Sequence, residues 1–318
     1  MTRISWGKGI KSGMHTTWLL GKIIFPVTFI VTILGYTPLL QKIMDFLSPF
    51  MKLFGLPGEA AVPLVLGNIL NLYAGIGAIL SLDLTVKEVF IIAVMLSFSH
   101  NLFIESGVAI KVGVKIWVVL VIRLGLAFLS AIVINLVWSG GGEKAQYGFA
   151  PVTEAIQPNG VGEMVWLAIE KAASGVFQLA IIVIPLMMMI QVMKDLKWME
   201  LISKKMGPVT RFLGMSENTS FTLLSGLTFG LAMGAGVMIQ AVREDGVSRR
   251  DATLAIIFLV ACHAVIEDTL IFIPLGIPVL PLLFIRLTVA IFLTLVVAWC
   301  WRRAETAKRK ETTTAYEY

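Results

Sequence analysis

The chain repeats itself. Shifted by 159 residues, Pro26 falls on Pro185, Gly55 on Gly214, Gly67 on Gly226, Gly75 on Gly234 and Gly77 on Gly236. After a four-residue insertion the offset becomes 163, and Thr85 then falls on Ser248, Lys87 on Arg250, Glu88 on Asp251, His100 on His263, Glu105 on Asp268, Arg123 on Arg286 and Trp138 on Trp301. So many coincidences across a single gap mark an internal duplication. The fold is thereby restricted to two copies of one unit, an organisation shared by many membrane carriers.

Both copies are written in apolar sequence. The chain is 57% apolar and 14% charged, with a mean hydropathy of +0.87, too hydrophobic for a soluble domain of this length. Its apolar runs are helix-length rather than ten-residue alternating strands, so helices satisfy the backbone in lipid. We therefore expect an all-α polytopic membrane protein. The net charge of +6 comes from basic residues that flank apolar segments. No basic stripe interleaved with aromatics is present, so nucleic acid is not an expected partner. Cys262 and Cys300 form neither a disulfide framework nor a CxxC knuckle. Arg3, Lys8 and Lys11 precede an apolar run from Thr17 to Leu40 that is too long for a signal-peptide core and lacks a clear cleavage site, so it is expected to remain as the first helix.

Each unit reads as the same five pieces. A proline-containing helix, about 17–40 and 170–192, is followed by an amphipathic interfacial segment, about 41–54 and 194–213. Then come a glycine-punctuated apolar stretch, about 59–80 and 217–240, a helix with a polar break, and a last helix, about 114–138 and 279–301, ending at Trp138 or Trp301. The glycine-rich stretch could cross once or enter and return as a re-entrant hairpin. Charge decides: with hairpins, three crossings per unit and the N-terminus inside, 18 basic residues lie inside and 4 outside, whereas four crossings per unit give 13 and 9. The expected fold is thus two inverted repeats, each of three transmembrane helices plus an interfacial helix and a re-entrant helical hairpin. The first repeat occupies 1–138, an external linker 139–165, the second repeat 166–301 and a cytoplasmic tail 302–318. A bacterial-type inner membrane with both termini cytoplasmic is the expected setting.

The polar breaks carry the chemistry. Ser99-His100-Asn101-Leu102-Phe103-Ile104-Glu105-Ser106 sits in apolar surroundings, and its copy is Cys262-His263-Ala264-Val265-Ile266-Glu267-Asp268-Thr269. Ionisable groups at mid-membrane cost roughly 2.5–3.5 kcal/mol each on insertion scales, so they face a protein interior or a cavity. An unwound segment frees backbone groups and half-helix ends for a ligand. Arg123 and Arg286 lie roughly 12 Å of helical rise inside their flanks, where pairing with Glu105 and Asp268 is the structural reading. Thr85 with Glu88, and Ser248 with Asp251, have capping-box spacing at the starts of the broken helices. His100, His263, Glu105, Asp268 and Cys262 could alternatively serve zinc or ferrous iron, though no tight ligand spacing such as HExxH is present. No nucleotide-binding loop, catalytic triad or cofactor motif is found, so neither enzyme activity nor a cofactor is expected.

With the hairpins, the interfacial helices, Gly55-Leu56-Pro57-Gly58-Glu59 and Ser99-His100-Asn101 in view, the chain from about 15 to 301 resembles the nucleoside recognition, or Gate domain, family. That grouping takes in concentrative nucleoside transporters, the membrane part of the bacterial ferrous iron permease and the spore maturation proteins A and B. The resemblance implies a ligand and coupling ion between hairpin tips and broken helices. On this chain it points to Asn68, Asn71, Asn101 and Glu105 from the first unit and Thr228, Glu267 and Asp268 from the second. The second hairpin, Leu224–Gly230, departs from the pattern in being poor in amides and acids. The functional expectation is a secondary transporter of a small polar solute, nucleoside-like in class and coupled to an ion or proton, with its site at midplane. A divalent metal permease and a non-transporting scaffold of the spore maturation type are the alternatives. The partners expected are the solute and the lipid bilayer, and homo-oligomerisation is compatible with all three readings.

Overall fold

A computed structural model describes residues 4–148, 158, 160–243 and 246–315. It is helical throughout, and no strand is formed among the described residues. Among the described residues, five helical segments are long and apolar enough to cross a membrane: Trp6–Gly35, Val86–Lys111, Ile116–Val137, Val161–Asp195 and Val279–Thr306. The sixth expected crossing starts as α12 (Arg249–Ala261) but is interrupted before the four-residue α13 (Glu267–Leu270), so it does not qualify as one apolar helix.

The two proline-bearing helices, α1 (Trp6–Gly35) and α8 (Val161–Asp195), pack along each other. A Cβ placed on Gly9 would fall 2.9 Å from the Met188 Cα, and one on Gly13 2.8 Å from the Ile184 Cα. Small residues four apart let membrane helices approach backbone to backbone. Ascending numbers on α1 meet descending numbers on α8, so these equivalent helices of the two units run antiparallel. Helix α1 stops at Gly35, five residues short of the expected boundary, because Pro38 opens α2 (Pro38–Lys52) and cannot continue the preceding ladder. On α2, Met51 is buried while Phe46 and Phe50 are exposed at helical spacing, as suits a helix at a lipid interface. The second interfacial segment is two short helices rather than one, α9 (Trp198–Lys205) and α10 (Gly207–Phe212), because Pro208 sits in the first turn of α10.

Both glycine-rich stretches fold back on themselves. Helices α3 (Ala61–Ile69) and α4 (Leu72–Ile79) turn at Leu70-Asn71. The matching stretch, α11 (Ser220–Arg243), turns at Gly230, whose φ of 76° is open to glycine at little cost. Offset by 159, Gly230 is the counterpart of Asn71. Each hairpin presses a glycine onto a leucine of its broken helix. A Cβ on Gly67 would lie 2.5 Å from Leu96 Cδ2, and one on Gly226 2.3 Å from Leu259 Cδ1.

The broken helices form the centre. An 18-residue apolar stretch of the span 86–111 is 78% buried, against 22% for the corresponding stretches of α7 (Ile116–Val137) and α14 (Val279–Ala315), which places the first broken helix inside and the last helices at the periphery. Helix α14 runs on to Ala315, so residues 302–315 of the expected tail continue the last helix. At the start of α5 (Val86–Ser99) the capping box forms in full: the Glu88 amide donates to Thr85 Oγ1 at 3.3 Å and the Thr85 amide to Glu88 Oε2 at 2.7 Å. At the start of α12 only the first half forms, because the Asp251 carboxylate is taken by the amide and hydroxyl of Ser216. The linker packs its described beginning onto the start of α5, with the Lys87 amide donating to Gly141 O at 2.8 Å. Residues 149–157 and 159 of that linker lie outside the described residues.

Candidate functional site

Both helix breaks are made the same way. Helix α5 ends at Ser99, the chain passes through His100 and Asn101, and α6 (Leu102–Lys111) begins. Asn101 is left-handed (φ 56°), as is its counterpart Ala264 (φ 41°). Asparagine tolerates this region, whereas for alanine it costs roughly 1–2 kcal/mol. The turned amides are not lost. Asn101 N–H donates to Gly67 O at 2.9 Å, and Ala264 N–H to Gly226 O at 3.1 Å, so each break is fastened to the hairpin of its own unit.

An arginine closes each break from the last helix of the same unit. Arg123, fully buried on α7, donates from Nε to Phe98 O at 2.8 Å and from Nη2 to His100 O at 2.5 Å. Its Nη1 lies 2.7 Å from Glu105 Oε2, an ion pair in which the N–H direction misses hydrogen-bond alignment. Arg286, equally buried on α14, donates from Nη2 to His263 O at 2.7 Å and to Asp268 Oδ2 at 2.9 Å. The electrostatics follow the helix ends: the guanidinium meets the carbonyl end of one half-helix, and the carboxylate sits in the first turn of the next. The expected pairing of Arg123 with Glu105 and Arg286 with Asp268 is therefore realised.

The two breaks meet at one carboxylate. Glu105 Oε1 lies 3.4 Å from His100 Nε2 and 3.2 Å from His263 Nε2, and the imidazole centroids are 5.2 Å apart. Asp268 Oδ2 is 3.7 Å from the same His263 nitrogen. The opposite ring nitrogens are fixed: Nδ1 of His100 is 2.7 Å from Leu96 O, and Nδ1 of His263 is 2.7 Å from Leu259 O. A carbonyl only accepts, so each ring carries its hydrogen on Nδ1 and, when neutral, turns an Nε2 lone pair toward Glu105. His100, Glu105 and His263 are all buried.

The remaining predicted residues divide. Glu267 accepts a hydrogen bond from the Tyr73 hydroxyl of the first hairpin, a second link between the units. Asn68 Nδ2 donates to Leu64 O at 2.7 Å, while Asn68 Oδ1, Asn101 Oδ1 and Ser106 Oγ are buried without hydrogen-bond partners. Asn71 is spent on structure, its side chain accepting from the Ala74 amide at 3.0 Å as the cap of α4. The Thr228 hydroxyl is taken up by Leu224 O at 2.9 Å. Cys262 is buried but is not one of the three residues whose donor atoms converge, which are His100, Glu105 and His263. Tyr73 and Ser106 were missed in the sequence. A phenol two residues past a hairpin tip in otherwise apolar surroundings was the available signal for Tyr73, and Ser106 adjoins Glu105 in the break itself.

A family described as nucleoside recognition, Gate, matches residues 17–137 and 176–284. The chain belongs to the Gate family. The two matched segments begin 159 residues apart (176 minus 17), the offset at which the sequence repeats. Among relatives, a protein of Bacillus subtilis (strain 168) bearing the name Uncharacterized membrane protein YvoD is 61% identical over 295 residues, covering 93% of this chain and 94% of that protein. No solved structure matches. A groove of about 580 Å³ between α1 and α8, lined by Trp18, Phe25, Pro26, Val176 and Ile184, lies apart from the Gate breaks, and its apolar lining with the single charge of Lys22 suits acyl chains rather than a polar solute.

Proposed function

We propose that this Gate protein is a secondary transporter of a small polar solute, nucleoside-like in class and coupled to an ion or proton, and that it performs no catalysis. The solute binds between the two broken helices, and the two units rock about that site in alternating access. The observation that carries this reading is the meeting of both breaks at Glu105, which is paired with Arg123 of its own unit and faced by His100 of that unit and His263 of the other. Such a joint belongs to both halves and changes whenever one half moves against the other.

Two further observations support it. The antiparallel packing of α1 on α8 is what inverted repeats produce, and with the 18-to-4 charge bias it favours six crossings, two re-entrant hairpins and cytoplasmic termini in a bacterial inner membrane. The buried, unpartnered side-chain oxygens of Asn68 on the first hairpin and of Asn101 and Ser106 at the first break are groups that a polar solute would satisfy. The test is uptake into proteoliposomes of a radiolabelled panel of uridine, adenosine and cytidine under sodium and proton gradients. The parent takes up at least one member, and Glu105→Gln, folded by size exclusion, takes up none. Equal uptake by Glu105→Gln would remove the site, and no uptake of any nucleoside by the parent would remove the nucleoside-like class.

A further inference from the structure

The arrangement around Glu105 contains a problem that the hydrogen bonds leave unsolved. Both histidines donate from Nδ1 to a backbone carbonyl, so each, when neutral, presents Nε2 as an electron-pair donor. Both face one oxygen of a carboxylate, at 3.4 and 3.2 Å. His263 Nε2 has no hydrogen-bond partner, and it is buried. With neutral rings, three electron-rich atoms therefore converge in a buried interior with no hydrogen between them, and a cation between them is what such a geometry calls for.

The geometry points to a divalent first-row transition metal ion, held by His100 Nε2, His263 Nε2 and Glu105 Oε1. The three donor atoms all lie within 4.8 Å of one another. Zinc-class ions bind imidazole nitrogen and carboxylate oxygen at about 2.0–2.2 Å, and in a tetrahedron such bonds set neighbouring donors roughly 3.3–3.5 Å apart. The two nitrogen-to-oxygen separations lie at or just under that edge length. The supporting contacts also fit: metal-binding histidines ordinarily donate their other N–H to a backbone carbonyl or carboxylate, which fixes the tautomer and aims the ring. Here the same contact is made twice, at equivalent positions of the two units, to Leu96 O and Leu259 O. Arg123 occupies Oε2 of Glu105 and leaves Oε1 as a single donor.

Donor chemistry and charge narrow the class. Two imidazoles and one carboxylate suit zinc, ferrous iron, cobalt or nickel rather than magnesium or calcium, which prefer oxygen throughout. Arg123 and Arg286 are matched by Glu105 and Asp268, and Glu267, bonded to the Tyr73 hydroxyl, is a further carboxylate of the second break. The three ligands leave a fourth position, next to which lies Asp268 Oδ2, 3.7 Å from His263 Nε2. Cys262 is not in this set, so the site differs from a mixed thiolate site read off the sequence alone. Because one ligand comes from the second unit and two from the first, the ion is held only while the two breaks are together. That the ion is cargo or coupling ion, rather than a resident of the joint, rests on the transport reading above.

The experiment uses the full chain purified in detergent, stripped with chelator, desalted and titrated with Co²⁺ at pH 7.5. The expected result is one Co²⁺ per chain with the intense visible bands of a four-coordinate site, displaced by Zn²⁺. In His263→Gln and Glu105→Gln, both close in shape to the parent residue, the bands are lost while the size-exclusion profile is kept, and Cys262→Ala retains them. Absence of bound Co²⁺ in the folded parent would overturn the proposal and leave a shared proton as the cation. Retention of the bands in His263→Gln, or their loss in Cys262→Ala with the fold intact, would overturn the ligand set. The readout involves no flux, so it stands or falls separately from transport.

Discussion

Arg123→Met gives the sharpest energetic test of how the first break is held. Arg123 is fully buried and serves three groups: Phe98 O, His100 O and the Glu105 carboxylate. Removing the guanidinium strands a carboxylate that is itself only 3% exposed. Breaking a buried pair in this way costs roughly 3–5 kcal/mol, and two carbonyls losing their donors add about 1–3 kcal/mol each. These terms overlap, because an unpaired buried acid takes up a proton instead of staying charged, so the expected loss is about 4 kcal/mol. In a Glu105→Gln background no charge is left behind, and Arg123→Met then costs about 2 kcal/mol from the carbonyls alone. The coupling energy is therefore about 2 kcal/mol. The assay is SDS-induced unfolding in mixed micelles followed by tryptophan fluorescence, with all four members of the cycle. Additivity within about 0.5 kcal/mol would refute the reasoning, since it would mean that Arg123 stabilises the α5 end without sensing the Glu105 charge.

Three further outcomes are expected. The Glu59 carboxyl is pushed above its ordinary range, first by burial and then by Glu88 and Asp83. The folded chain therefore holds that proton more tightly than the unfolded chain, and the associated stability is lost as pH rises. Glu59→Gln should melt above the parent at pH 8, with the difference shrinking toward pH 4.5. At Ala264, left-handed at φ 41°, glycine should leave stability within about 0.5 kcal/mol because relieved strain and added chain entropy offset each other. Valine there should cost about 1–3 kcal/mol in the same unfolding assay. Gly13→Leu forces a side chain where the Ile184 backbone lies 2.8 Å from a Cβ, and should cost about 1–3 kcal/mol through overpacking, read as a lower melting temperature in detergent.

Much of the architecture was legible because duplication and apolar patterning act over long stretches. The glycine-rich stretches and both proline helices follow from glycines, prolines and run lengths, and the hairpins from the charge count, whereas the turns at Asn71 and Gly230 came with the structure. Helix ends moved where local chemistry competed with pattern, as at Pro38 and Pro208. The breaks themselves were visible as ionisable residues in apolar sequence, and their arginine partners as charges well inside their helices, from which an ion pair was as plausible as snorkelling to a flank. What the sequence withheld was which groups of one unit meet those of the other. Nothing in the order of residues says that His263 reaches Glu105 rather than its own Asp268 alone, because that contact depends on how the units dock. The division of labour among the asparagines was hidden for a related reason. Asn71 and Asn68 are three apart in one hairpin, yet one caps a helix and the other leaves an oxygen unpartnered, a difference set by backbone angles at the turn.

The central claim, that the joint at Glu105 opens alternately to the two sides of the membrane, is tested most directly by side-specific labelling of Ser106→Cys in a chain carrying Cys262→Ala and Cys300→Ser. Ser106 is buried beside Glu105 with an unpartnered hydroxyl, and cysteine replaces it with little change in shape. With alternating access, a membrane-impermeant maleimide reaches this cysteine slowly from both faces, in right-side-out and in inside-out vesicles. Labelling from one face alone, or from neither, would contradict it.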